Sequence, residues 1–303
     1  MTKSLSPRAV RRILAALFIT TGATALLAEQ AYEKLLETLV GTTTYAAATV
    51  LMIYFAGLTI GGFAYRWWRR LQARPLVLYG AFEAGIGLWA LLLYAGFEHL
   101  ITVFVPLLRL GVHSLPLLQG LRIVAAAAWI LPPTILMGST FPAIVDVLRE
   151  SLDDTRRTVA EFYALNILGG AIAAAAGPYV VFAAIGVDGA LLLTAFDLVV
   201  AAIAWWLAGR LPDRPLVATG SDAPAELALS GRGRLLIAVS AICGFLFFAL
   251  EVEWTHLIAA VCGNSVYSFA SMLAAVLTGL FAGGVIAWRL LPQDTEVPVA
   301  GTV

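Results

Sequence analysis

Four acidic side chains lie where an apolar chain has little use for them. Glu29, Glu83, Asp197 and Glu251 each sit in a run dominated by Leu, Ala, Ile, Val and Phe. An ionised carboxylate in such surroundings costs several kcal/mol unless it finds a partner or takes up a proton. Residues of this kind bind a cation or a basic group, hold a proton, or make one structural hydrogen bond between helices. Asp197 falls near the middle of its run and Glu83 is also deep, so a proton- or cation-coupled site and a protonated interhelical hydrogen bond are both open for this pair. Glu29 and Glu251 are expected in the last turn of their spans, near the outer interface. They read either as a symmetric cation-binding pair or as carboxylates held by backbone N–H groups, Lys34 or His256.

The symmetry comes from an internal repeat. Residues 22–66 and 244–288 align without a gap at an offset of 222. Gly22/Gly244, Glu29/Glu251, Tyr45/Tyr267, Gly57/Gly279, Gly61/Gly283 and Gly62/Gly284 recur in register. Repeats of this type mark transporter-like membrane architectures. Gly57-x-x-x-Gly61 and Gly279-x-x-x-Gly283 are small-xxx-small frames that let helix backbones approach closely. They are expected to pack against the first helix of their own repeat, or against each other.

The elements that carry these residues are membrane helices. The chain is 61% hydrophobic and 13% charged, with a mean hydropathy of +0.90. Many runs reach the ~20 residues that span a bilayer as helix. Eight spans are expected, at 12–32, 43–66, 76–96, 119–147, 158–183, 187–209, 234–253 and 266–290. Residues 98–112 read as a short re-entrant or interfacial helix, and Glu29–Val40 as a short amphipathic helix on the outer surface. The prolines of span 4 (Pro132, Pro133, Pro142) and Pro178 of span 5 free backbone carbonyls that a substrate or ion can use, and equally allow curved packing of the bundle.

Basic residues fill alternate loops, with Arg8, Arg11 and Arg12, then Arg66, Arg69, Arg70 and Arg74, then Arg149, Arg156 and Arg157, then Arg210, Arg214, Arg232 and Arg234. The positive-inside rule therefore places both termini in the cytoplasm and the chain in the cell (inner) membrane. A net charge of zero gives nucleic acid no electrostatic foothold. Two cysteines are too few for a disulfide framework, and no His/Cys cluster has metal-ligand spacing. No nucleophile with a base and no cofactor loop is visible, so no catalytic residue, metal ligand or cofactor is assigned.

Several motifs carry a family resemblance. Glu251-x-x-Trp254-Thr255-x-Leu257 with Gly263-x-Ser265-x-Tyr267-Ser268-Phe269 resembles the membrane part of the fused major-facilitator/spermidine-synthase proteins. So do Pro133-Thr134-x-x-Met137-Gly138-x-Thr140-x-Pro142 and Tyr163-Ala164-Leu165-Asn166-x-Leu168-Gly169. The resemblance implies an all-α polytopic membrane protein, a major-facilitator-like six-helix half (1–210) plus the first two helices of a second repeat (234–291). A cytoplasmic linker (211–233) and a polar tail (292–303) complete the expected organisation. That family usually adds a soluble aminopropyltransferase domain, and no strand with a Gly-rich turn is present here to supply one. Glu161 stands where the family often has a basic residue, and Lys34 and His256 stand where it usually has Arg.

The sequence weighs toward a non-catalytic accessory or scaffold subunit of a larger membrane complex. Its contacts would be the lipid bilayer and a protein partner or second copy through spans 7 and 8. The first alternative is a transporter of a small cationic, polyamine-like solute. The second is the membrane module of a spermidine-synthase-like enzyme.

Overall fold

A computed structural model describes residues 6–40, 44–111, 113–151, 155–211, 231–263 and 265–290. The expected linker and tail fall mostly outside them. Nine α-helices and no strand are found among the described residues: α1 Pro7–Val40, α2 Thr44–Leu71, α3 Pro75–Arg109, α4 Leu115–Ser151, α5 Thr155–Ala176, α6 Ala183–Thr194, α7 Asp197–Ala208, α8 Gly231–Cys262 and α9 Val266–Leu290. Seven helical stretches are long and apolar enough to cross a membrane. The protein is an all-α polytopic membrane protein.

Local chemistry sets the helix ends. Ser6 accepts the Ala9 N–H at 3.3 Å ahead of Pro7, a capped start with proline in the first turn. Gly263, at φ 85°, stops α8 in the left-handed region. Ser265 then caps α9 by accepting the Ser268 N–H at 3.2 Å.

Two expected boundaries are corrected. Nothing between Glu29 and Val40 breaks a helix, so α1 runs through without a separate surface helix. Glu29 is thus eleven residues from the end of α1, and Glu251 is eleven from the end of α8, rather than in the last turn. Residues 98–109 likewise continue α3 through Pro106 instead of forming a re-entrant segment.

The longest stretch, Thr158–Ala208, has 51 residues. A straight helix of that length would run about 77 Å, over twice the ~30 Å hydrocarbon core. It contains a π-turn at Gly177–Phe182 and a break at Gly186 (φ 72°, ψ −180°). Gly22 of α1 abuts Asn166, and Thr24 of α1 bonds Asp197. Two residues at the same level of α1 thus meet positions 31 apart in the chain, so the stretch folds back at Gly186. That backbone region is open essentially to glycine alone, at a cost of ~1–3 kcal/mol for other residues. A Cβ at Gly186 would meet nothing within 4 Å, so the cost is conformational. Gly186→Ala is expected to lower the melting temperature in detergent. Gly96→Ala, in open space within α3, is expected to hold or raise it.

The bundle packs as α1 along α5, α2 along α4, α3 between α4 and α7, and α9 against α5. Gly57 and Gly61 correct the sequence expectation. They receive α4, where a Cβ would overlap Thr134 and Ile135 respectively. Ser139 seals this crossing by donating to the Gly61 carbonyl at 2.8 Å. Gly279 and Gly283, their equivalents in α9, meet nothing within 4 Å. They line a groove of about 960 Å³ between α5, α8 and α9.

Two of the proline-freed carbonyls have side-chain partners. Pro133 removes the N–H that would bond the Trp129 carbonyl, and Trp89 Nε1 donates there at 3.1 Å. Pro178 likewise frees the Ala174 carbonyl, which Gln30 Nε2 approaches at 3.4 Å. At the arginine-rich end, Asp146 of α4 accepts from the Tyr65 hydroxyl at 2.8 Å and from Arg69 Nε at 3.2 Å. Arg11 pairs with Glu161, joining α1 to α5, and Arg74 donates to the Ala208 carbonyl, joining α3 to α7.

Candidate functional site

The Arg74–Ala208 contact sets α3 and α7 level at one end of the bundle. From that end, at 1.5 Å per residue, Glu83 lies about 12–14 Å along α3 and Asp197 about 17 Å along α7, well inside the apolar stretch of each helix. The two share one neighbourhood, each 1% exposed. Thr24 of α1 donates to Asp197 Oδ1 at 2.6 Å. Glu83 has Tyr79 and Asp197 as its neighbours, and its Oε1 has no hydrogen-bond partner of good geometry among the described residues.

Glu29 lies five residues beyond Thr24 on α1, about 7–8 Å farther along the helix axis. Glu251 of α8 is its electrostatic neighbour. The repeat-equivalent acids thus line the same cavity, forming a tier farther from the arginine-rich end than Glu83 and Asp197, called here the outer tier. Tyr54 stands beside Glu29.

All four carboxylates line one cavity of about 1020 Å³, walled by α1, α2, α3, α4, α5, α7, α8 and α9. Its other polar lining is neutral, from Thr21, Thr59, Thr140, Asn166, Tyr54 and Tyr163. Among the described residues no Lys, Arg or His contributes to the wall. Arg11 pairs with Glu161, and Arg69 and Arg149 with Asp146, rather than with any of the four cavity acids. His256 Nδ1 lies 2.8 Å from the Val252 carbonyl of its own helix. The rest of the wall is aromatic and aliphatic, with Phe55 of α2 and Phe248 of α8 edge to face at 4.1 Å between centroids.

Helix α8 is inverted relative to an ordinary packed helix. Its apolar side chains, such as Leu235, Ile242, Phe245, Leu250 and Val261, are exposed, and Glu251 is its one buried side chain among those described. A helix that turns its hydrocarbon outward and its carboxylate inward belongs against lipid on one side and a polar cavity on the other.

The sequence singled out the four acids but not their companions. Thr24, Tyr54, Phe55 and Phe248 carried no spacing signal, and Asn166 stood out only within a motif. Asn166 Nδ2 donates to the Phe18 carbonyl at 3.1 Å, which holds α5 against α1 at the cavity wall. The small-residue frame Gly57/Gly61 holds α2 on α4 beside the cavity, whereas Gly279/Gly283 faces the open groove. No three of the described His, Cys, Asp and Glu side chains gather closely enough to hold a metal ion.

No family model, no curated protein and no solved structure matches the chain. The resemblance to the fused major-facilitator/spermidine-synthase membrane proteins rests on the motifs alone.

Proposed function

We propose that this chain is a carrier that binds a cationic solute within the membrane. In this reading it crosses the inner membrane eight times, counting the two arms about Gly186 separately, with both termini cytoplasmic. The supporting observation is the convergence of four carboxylates from four helices on one cavity whose lining holds no basic residue among those described. Buried carboxylates that find no protein cation must take one from outside, as a proton or as a positively charged ligand. A site shared by both copies of a repeat also suits a carrier, because movement of one copy against the other exposes it to alternate sides. The deep pair, Glu83 and Asp197, suits the coupling proton, and the outer pair, Glu29 and Glu251, suits the solute.

Uptake into proteoliposomes, driven by an inside-negative potential and measured for a panel of labelled monovalent and divalent organic cations, tests the proposal. At least one cation is expected to accumulate. Asp197→Asn and Glu83→Gln are each expected to cut its uptake by tenfold or more with normal insertion. Wild-type rates in both variants would sink the carrier reading.

A second reading, an accessory subunit, is favoured by the exposure of α8 and the empty Gly279/Gly283 groove. Where the first repeat seats α4 on its glycine frame, the second presents the frame bare. A photo-crosslinker at Gly283 is then expected to capture a stoichiometric protein partner in native membranes. A monodisperse product without an adduct would remove this reading.

A further inference from the structure

We infer that the outer tier of the cavity, between Glu29 and Glu251 and against Phe55 and Phe248, binds an organic cation with a sizeable apolar body. This rests on the carrier reading and narrows its ligand. Two carboxylates supply the charge, and neither is paired with a basic residue among the described residues. The same cavity also holds an unpartnered buried oxygen, Glu83 Oε1, on a side chain 1% exposed. The volume of about 1020 Å³ is that of a drug-sized pocket, far beyond the needs of a bare ion. The walls are soft and aromatic. Phe248 is one turn before Glu251 on the same helix, Phe55 meets it edge to face, and Tyr54 packs beside Phe55 at 5.8 Å between centroids. Ring faces attract desolvated cations, and bulky ammonium or phosphonium groups lose little hydration on entering such a site. A compact metal ion would instead need several hard oxygens around one point, which the described acids do not form.

The test is equilibrium binding to the full chain in lipid nanodiscs, corrected against empty discs. The probes are tetraphenylphosphonium, neutral triphenylphosphine oxide, 1,5-diaminopentane and sodium. Tetraphenylphosphonium is expected to bind and the neutral oxide to fail. Glu29→Gln and Glu251→Gln are each expected to weaken tetraphenylphosphonium tenfold or more, and Phe248→Ala roughly 5- to 30-fold. Equal binding of the neutral oxide, or unchanged affinity in both glutamine variants, overturns the inference. If only the diamine or sodium binds, and does so through the acids, the apolar-body class falls while the carrier reading stands. If no cation responds to the acid variants, both fall. The comparison of charged and neutral probes on the wild-type chain decides the matter even if a variant fails to fold.

Discussion

Gly61→Leu is expected to yield little or no folded protein, whereas Gly283→Leu, at the equivalent repeat position, is expected to leave the isolated chain intact. At Gly61 even a Cβ would overlap the Ile135 carbonyl oxygen and crowd Gly138. The obstacle is backbone, which cannot rotate away as a side-chain tip can. The α2–α4 crossing is one of the closest in the bundle, and Gly138 in turn sits against the Leu58 backbone. Leucine would have to push the helices apart, losing the Ser139–Gly61 hydrogen bond and the packing around it. A cost of at least ~3 kcal/mol is expected, a large share of a typical folding free energy. At Gly283 nothing lies within 4 Å, and the change stays within ~1 kcal/mol through helix propensity alone. Thermal unfolding and size-exclusion chromatography in one detergent compare the two. Equal destabilisation would mean that the α9 glycine frame is packed, and the structural asymmetry between repeats would be wrong.

The same pair shows how far the sequence could be read. Hydropathy reports where a chain meets lipid, so the helical membrane class and the break between residues 183 and 187 were legible. It does not report where a helix stops outside lipid, so Glu29–Val40 looked like a separate element although no residue there ends α1. Spacing along a helix gives depth and face but not the identity of the neighbour. Gly57/Gly61 announced a close crossing without naming α4 as the partner. The four acids were legible as anomalies because each breaks an apolar pattern. Their convergence was not, because it depends on the fold-back at Gly186 that brings Asp197 to Thr24, and on α8 turning Glu251 inward. Phe55 and Phe248 were invisible for the opposite reason, since phenylalanine in a membrane helix breaks no pattern at all.

A lysine at Gly244 is expected to abolish cation binding while keeping the protein stable. Gly244 lines the cavity seven residues before Glu251, two turns away on the same face of α8, and a Cβ there meets nothing within 4 Å. The ammonium of a lysine would be tethered beside carboxylates that have no cation of their own. Opposite charges ~4 Å apart gain about 4 kcal/mol at an effective dielectric near 20. That gain offsets the cost of placing an ammonium in the membrane, and replacing glycine in a helix adds up to ~1 kcal/mol. The variant's own charge thus enters the cavity to which the ligand is assigned. Affinity for a cationic probe is expected to fall more than 100-fold, a loss of about 2.7 kcal/mol or more. Gly244→Gln, of similar length but neutral, is expected to bind within a few-fold of wild type. Binding measurements and melting temperatures on the two variants separate charge from bulk. If glutamine blocks binding as well as lysine does, the cavity excludes by volume. If lysine lowers the melting temperature and leaves binding intact, the four carboxylates are not short of a cation, and the reason for their burial must lie in hydrogen bonds between the helices themselves.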